Sequence, residues 1–328
     1  MDLSRFNEGD YIKTVDGLFF AVKGSIHSDG LVLAILRYIP DEDGERILDG
    51  KHYRRVYDND ATTKYLEENY SDYINEVGWL GLELQSVPTA KIAEVYKPVN
   101  KLQEILYNPG SKLERQINRF VEAISGASGV DTSLFGVSGS ILIGLETLDS
   151  DIDLNVYGES EGHRVYDALR KLRENEEWVS AYDETTIEPV LTSRWGDTGI
   201  DLERFRQVEC DKVLHGLVEG VDYFIRLLID EKASTSIPLE TVKITATVTD
   251  SSHSIFTPCV YRIDDVVFEG GSRKHGVSEL KSYRGKFTEQ VHTGDRIVAK
   301  GTLEQVNHGG ASIYQLVLGS RGDYLFSV

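Results

Sequence analysis

Apolar and polar positions change rhythm several times along the chain. Between residues 10 and 57 they alternate, and turns recur. "DYIKTVDGLFFAVKGSIHSDGLVLAILRYIPD" breaks into three short strands at "DG" and "SDG", and "DGKHYRRVYD" adds another. Residues 1–60 therefore read as a small antiparallel β domain with Phe19, Phe20, Tyr38 and Tyr53 in its core. From Thr62 the spacing becomes helical in "TTKYLEENYSDYINEV" and "AKIAEVYKPVNKLQEILY", which makes residues 61–110 a helical connector. "NPGS" interrupts it, and Ser111 is placed to cap the helix "KLERQINRFVEAIS".

Residues 111–233 mix the two periods. "GVSGSILIGLETLDSDIDLNVYG" (Gly136–Gly158) ends in a strand, and "EGHRVYDALRKLREN" is an amphipathic helix. "EPVLTSRWGDTGIDLERFR" reads as one or two strands turning at Gly196–Asp197, and "DKVLHGLVEGVDYFIRLLIDE" as a further helix despite two glycines. "STSIP" is a linker. From Leu239 onward nearly every segment is strand-like, and five or six short strands in residues 238–328 predict a small barrel of the oligonucleotide-binding (OB) type. The expected fold class is thus α+β and multidomain: an N-terminal antiparallel β domain, a central α/β domain and a C-terminal OB-like β-barrel.

Charge sharpens this division. The formal net charge is -19, yet residues 238–328 hold ten basic and ten acidic residues, so the whole acidic excess lies upstream. An acidic body repels polyanions, and a near-neutral module is the better place for a nucleic acid to dock. Within it "GGSRKHG" and "KSYRGKF" place Arg273, Lys274, Lys281, Arg284 and Lys286 beside Tyr283 and Phe287, a pairing suited to RNA or single-stranded nucleic acid. The longest apolar runs are too short to span a bilayer, the start lacks the pattern of a signal peptide, and two cysteines make no disulfide framework. A cytoplasmic location with no membrane partner is the expectation.

The chemistry is concentrated in one strand. In "SDIDLNVY", Asp151, Asp153 and Asn155 share one face, and Ile152, Leu154 and Val156 the other. Two carboxylates two positions apart repel unless a cation lies between them, and hard divalent ions with oxygen ligands suit such a pair. Gly139 lets a phosphate approach the backbone, and Ser140 offers donors.

Gly139-Ser140, the spacer 141–150 and Asp151-Ile152-Asp153 together resemble the signature of the nucleotidyltransferase superfamily that includes DNA polymerase beta. The chain as a whole is similar to predicted archaeal nucleotidyltransferases. The resemblance implies that the central domain is a nucleotidyltransferase domain. It implies that Asp151 and Asp153 hold Mg²⁺ or Mn²⁺, that Gly139 and Ser140 support an NTP, and that a third acid comes from a later strand. Asp201, between Ile200 and Leu202, fits that role, with Glu188 and Glu203 as alternatives. Arg194 and Arg204 are candidates for the triphosphate. The expected activity is transfer of a nucleoside monophosphate to an acceptor hydroxyl, with pyrophosphate released. Two alternatives are a non-catalytic nucleic-acid-binding or nucleotide-sensing protein, and an enzyme that nucleotidylates a protein or small molecule.

Overall fold

Consecutive side chains in the first strands point to opposite faces, and both faces are covered. Tyr11, Phe19, Ala21, Tyr38 and Tyr53 join one core with Leu142, Ile143 and Leu145. Ile12, Phe20, Val22 and Leu36 join another with Leu66 and Tyr73. A sheet buried on both sides explains why "FFAV" is apolar throughout. The computed structural model describes residues 5–77, 82–195, 201–231, 234–269, 276–308 and 311–328. The chain divides into two compact units, Met1–Gly158 with Asp230–Ala233, and Glu159–Ile229 with Ser234–Val328.

The first unit contains β1 (Tyr11–Thr14), β2 (Phe19–Val22), β3 (Leu31–Pro40), β4 (Arg46–Leu48), β5 (Lys51–Arg55), α1 (Asn59–Asn69), β6 (Ile74–Val77), β7 (Leu82–Pro88) and β8 (Ile92–Tyr96). Then come α2 (Pro98–Tyr107), α3 (Lys112–Ser128), β9 (Phe135–Val137), α4 (Gly139–Leu142) and β10 (Ile152–Tyr157). Strands β4-β5-β3-β2-β1-β8 form a half-barrel sheet in that order, with β7 pairing both β3 and β6. Ser111 caps α3 through a full capping box with Glu114, and Gly129 in the left-handed region ends the helix.

The second unit contains α5 (Glu159–Asn175), β11 (Val179–Ser180), α6 (Glu188–Arg194), α7 (Leu202–Asp211), β12 (His215–Val218) and β13 (Val221–Leu228). It continues with β14 (Thr235–Asp250), β15 (Phe256–Thr257), β16 (Cys259–Phe268), β17 (Val277–Ser282), β18 (Arg296–His308), β19 (Ala311–Val317) and β20 (Tyr324–Ser327). Strands β14-β16-β17-β19-β18 close into a five-stranded barrel through a long β14–β18 pairing, and β20 adds to β18. All contacts are antiparallel except β17 beside β19.

The expected fold class is corrected. Strands make up 40% and helices 29% of the chain, and a separate central α/β nucleotidyltransferase domain is not seen. Among its described residues the connector expected at 61–110 is α-helical in α1 and α2, with short 3-10 turns at Ser71–Tyr73 and Thr89–Lys91, and carries the strands β6, β7 and β8. Helical spacing starts at Pro98, whose ring keeps Lys97 extended and opens α2. "HGLVEGVDYFIRLL" is a hairpin rather than a helix, because Glu219 and Gly220 both take positive φ, 48° and 80°, in a two-residue turn. The strands expected around Asp201 are helices α6 and α7, and the Gly196–Asp197 turn lies outside the described residues.

Candidate active site

β10 is anchored before any side chain acts. It pairs antiparallel with β9, Leu154 opposite Val137, and the Ser138 amide donates to the Asp153 carbonyl at 2.8 Å. Asp153 is 8% exposed and Asp151 half-buried. Gly139, at φ +67°, lies directly against them: a Cβ there would stand 2.4 Å from Asp153 Oδ2. Only glycine permits this approach. The Ser140 hydroxyl does not face outward. It donates to Ser150 Oγ at 3.1 Å, and the Thr147 amide donates to the same Ser150 oxygen at 2.8 Å. Ser140 therefore braces the 140–150 loop that delivers the aspartates, and Asp149 stays exposed on it.

The opposing wall comes from the half-barrel sheet. Tyr38 and Arg55 are register partners across β3 and β5 and so share a face. That face packs on Leu142, Ile143 and Leu145, and Arg46 Nη1 donates to the Leu145 carbonyl at 2.5 Å. The Arg55 guanidinium lies over the Tyr57 ring, 4.5 Å from its centre, and Tyr57 is exposed. Burial works against the Arg55 charge, but Tyr38, Tyr57, Asp151 and Asp153 together hold its pKa above the ordinary value. Burial also pushes the Tyr38 phenol upward, and its hydroxyl has no hydrogen-bond partner among the described residues. Sequence reasoning placed Tyr38 in the core and missed Arg55, whose signal was available in "HYRRVY", where Tyr53 and Arg55 alternate onto one face.

Two carboxylates beside a glycine that leaves room for backbone approach fit Mg²⁺ or Mn²⁺, which keep several waters and take further ligands from phosphate. Among the described residues no group of three His, Cys, Asp or Glu is placed to hold a metal.

The other expected site residues have different occupations, all within the second unit. Asp201 is the N-cap of α7, accepting from the Arg204 amide at 3.1 Å, and is not on a strand. Glu188 and Glu203 both pair with Arg206, at 2.7 and 3.4 Å. Arg194 pairs with the fully buried Glu209 at 3.0 Å and donates to His215 Nδ1 at 3.1 Å. Arg204 donates to Ser327 Oγ at 3.1 Å and lies over the Phe326 ring. Arg284 donates to the Gly319 carbonyl at 3.0 Å, and Lys281 and Lys286 lie over the Tyr283 and Phe287 rings, each 5.0 Å from the ring centre. Arg273 and Lys274 lie outside the described residues. The barrel carries an open groove of about 490 Å³ lined by Lys243, Phe268, Glu269, Lys300 and Tyr324.

This chain is similar to an uncharacterized protein of Methanocaldococcus jannaschii. The two are 25% identical over 337 aligned positions, which cover 95% of this chain and 94% of the relative. No family model matches the chain, and no solved structure matches it. No helix among the described residues is long and apolar enough to cross a membrane.

Proposed function

We propose that the protein is a metal-dependent nucleotidyltransferase acting at Asp151 and Asp153. The observation that carries this reading is the Gly139 turn pressed against the Asp153 carboxylate, two residues after Asp151. In the reaction, an acceptor hydroxyl oxygen bonds to the α-phosphorus of an NTP. The bond from that phosphorus to the α–β bridging oxygen breaks, pyrophosphate leaves, and the hydroxyl proton passes to solvent or a neighbouring base. A divalent ion at the carboxylates supplies charge neutralisation for the attacking and leaving oxygens. The chain's own residues position it: Ser138 fixes β10, Ser140 and Ser150 fix the loop, and Gly139 leaves space for the Asp153 carboxylate.

The acceptor proposed is a nucleic acid bound at the barrel. Lys300 and Tyr324 border one groove there, beside Lys243, which pairs with Glu269 at 3.0 Å, and they supply a charge and a ring of the kind that a single strand uses. The test is incubation of the full chain with each α-labelled NTP, Mg²⁺ and total cellular RNA. Label transfer that is lost in Asp151→Asn and Asp153→Asn, with unchanged circular dichroism, supports the reading. Wild-type labelling by both variants refutes it. Label on protein or on a small molecule would move the acceptor and leave the chemistry.

A further inference from the structure

We infer, on the reading that the acceptor binds at the barrel, that the groove there holds one nucleotide of a single strand. Its phosphate bridges Lys300 and Lys243 after displacing Glu269, and its base lies against Tyr324. Lys243, Lys300 and Tyr324 are successive register partners across β14, β18 and β20, so the three side chains stand in one row. Their chain neighbours Val242, Ala299 and Leu325 point the other way, into the barrel core, which puts the row on the outer face. All three line the groove of about 490 Å³, and Glu269 is the acid that lines it with them.

Like charges directly opposite each other in a sheet repel. Here one carboxylate serves two ammoniums. Glu269 reaches Lys243 at 3.0 Å, and its amide donates to the Lys243 carbonyl at 2.9 Å. Lys300 has no hydrogen-bond or ion-pair partner among the described residues, and its ammonium stands beside the Gly322 turn, 3.7 Å from where a Cβ would lie. The Glu269 side chain is 65% exposed and that of Lys243 38%, so water competes for their pair and little is lost when it opens. A phosphate with two free oxygens takes both ammoniums at once, through charge-assisted hydrogen bonds. The ring decides the class of anion. Tyr324 is half-buried at the end of the row, paired with the Phe326 ring at 5.4 Å, and a base one bond chain away from the phosphate stacks there. A groove of this volume is of the size that takes one such unit. Glu269 gives it selectivity, since a ligand that reaches only one lysine gains too little to replace the carboxylate.

The experiment measures binding of a short fluorescein-labelled oligouridine, with and without a terminal phosphate, to the full chain by anisotropy over a range of salt. Lys300→Gln should bind about fivefold more weakly and lose about 0.7 from the salt slope, the share of one phosphate contact on a single strand. Lys300→Arg, which keeps the charge, should keep the slope. Glu269→Gln should bind about threefold more tightly, because the competing carboxylate is gone. Glu174→Gln, at an exposed position of α5 outside the groove, removes the same charge and should leave affinity unchanged. Preference for the phosphorylated strand would identify a terminal phosphate as the bound group, and equal binding an internal one. An equal gain in both glutamate variants would mean net charge alone and overturn the inference. So would displacement of the probe by an oligoglutamate of equal charge as readily as by unlabelled strand, which would make the occupant an acidic peptide. If the wild type binds the strand and neither Lys300→Gln nor Glu269→Gln alters it, only the groove assignment fails. If the wild type binds no strand, the nucleic-acid acceptor fails and takes this inference with it, while the chemistry at Asp151 and Asp153 keeps its own test.

Discussion

Replacing Arg194 with methionine should lower stability and leave polyphosphate binding unchanged. Glu209 is fully buried, and two cations serve it, Arg194 at 3.0 Å and Lys212 at 2.5 Å. Burial opposes its charge, but the fields of Lys212, Arg194 and His215 more than offset this and lower its pKa to about 2. His215 completes the arrangement: its Nε2 bonds the Glu209 carbonyl at 2.7 Å and its Nδ1 accepts from Arg194. Breaking a fully buried ion pair costs about 3–5 kcal/mol. The Arg194 side chain is 23% exposed and Lys212 remains, so the expected cost is nearer about 2 kcal/mol. For a unit of this size that is a fall in Tm of about 4–8 °C. Thermal unfolding followed by fluorescence, beside calorimetry with triphosphate and Mg²⁺, gives both numbers on one preparation. An unchanged Tm with lost triphosphate affinity would refute the reasoning and return Arg194 to the ligand.

Three further outcomes are expected. Tyr38→Phe removes a fully buried hydroxyl with no partner among the described residues and keeps the ring, so it should stabilise the protein by about 1 kcal/mol; a loss of that size in urea titration would show that the hydroxyl is bonded. Burial, with Arg194 alongside, lowers the His215 pKa from 6.5 to about 3, and that of Glu209 falls from 4.5 to about 2. Both depressed values mean stability that is full near neutrality and lost on acidification, first below pH 6.5 as the unfolded chain takes up the histidine proton, then through the carboxylate range. Urea midpoints at pH 7 and pH 5 should differ, and His215→Gln should flatten the difference; a flat wild-type profile refutes the assignment. Gly139→Ala should weaken Mn²⁺ binding as well as NTP binding, because the added carbon displaces Asp153, and wild-type affinity for both would show that the turn is not part of the site.

The strand that carries Asp153 was legible in the sequence because it depends on local periodicity alone. Alternation put Asp151 and Asp153 on one face; Gly139 was expected to admit a phosphate, whereas the space beside it holds the Asp153 carboxylate. The capping box at Ser111 was equally local. What failed depended on turns or on distant partners. "HGLVEGV" carries enough apolar residues for a helix, and its turn residue Glu219 gives no warning that it will take positive φ. Asp201 sits between Ile200 and Leu202 as a strand acid would, but an aspartate before "LERF" is also an N-cap, and the backbone chose that use. Arg194 and Arg204 looked like phosphate ligands because the sequence does not show Glu209 or Phe326 arriving from elsewhere.

The barrel is not a cassette that can be lifted off at the linker. Glu289, between β17 and β18, accepts from the amides of Val213 and Leu214 at 2.7 and 3.1 Å and from the Tyr166 hydroxyl at 2.9 Å. The carbonyl of Lys286 accepts from Lys212 at 2.8 Å, and Gly285 lies so near Phe224 that a Cβ would come within 2.5 Å of its ring. A chain cut near Ser236 would strand two amides, leave the Lys212 ammonium with Glu209 alone of these two partners, and strip Tyr324 and Phe326 from the cluster of Tyr182, Ile187, Leu191 and Phe205. Separating acceptor binding from chemistry therefore calls for point changes such as Lys300→Glu in the groove. The seam between these segments runs through buried charge.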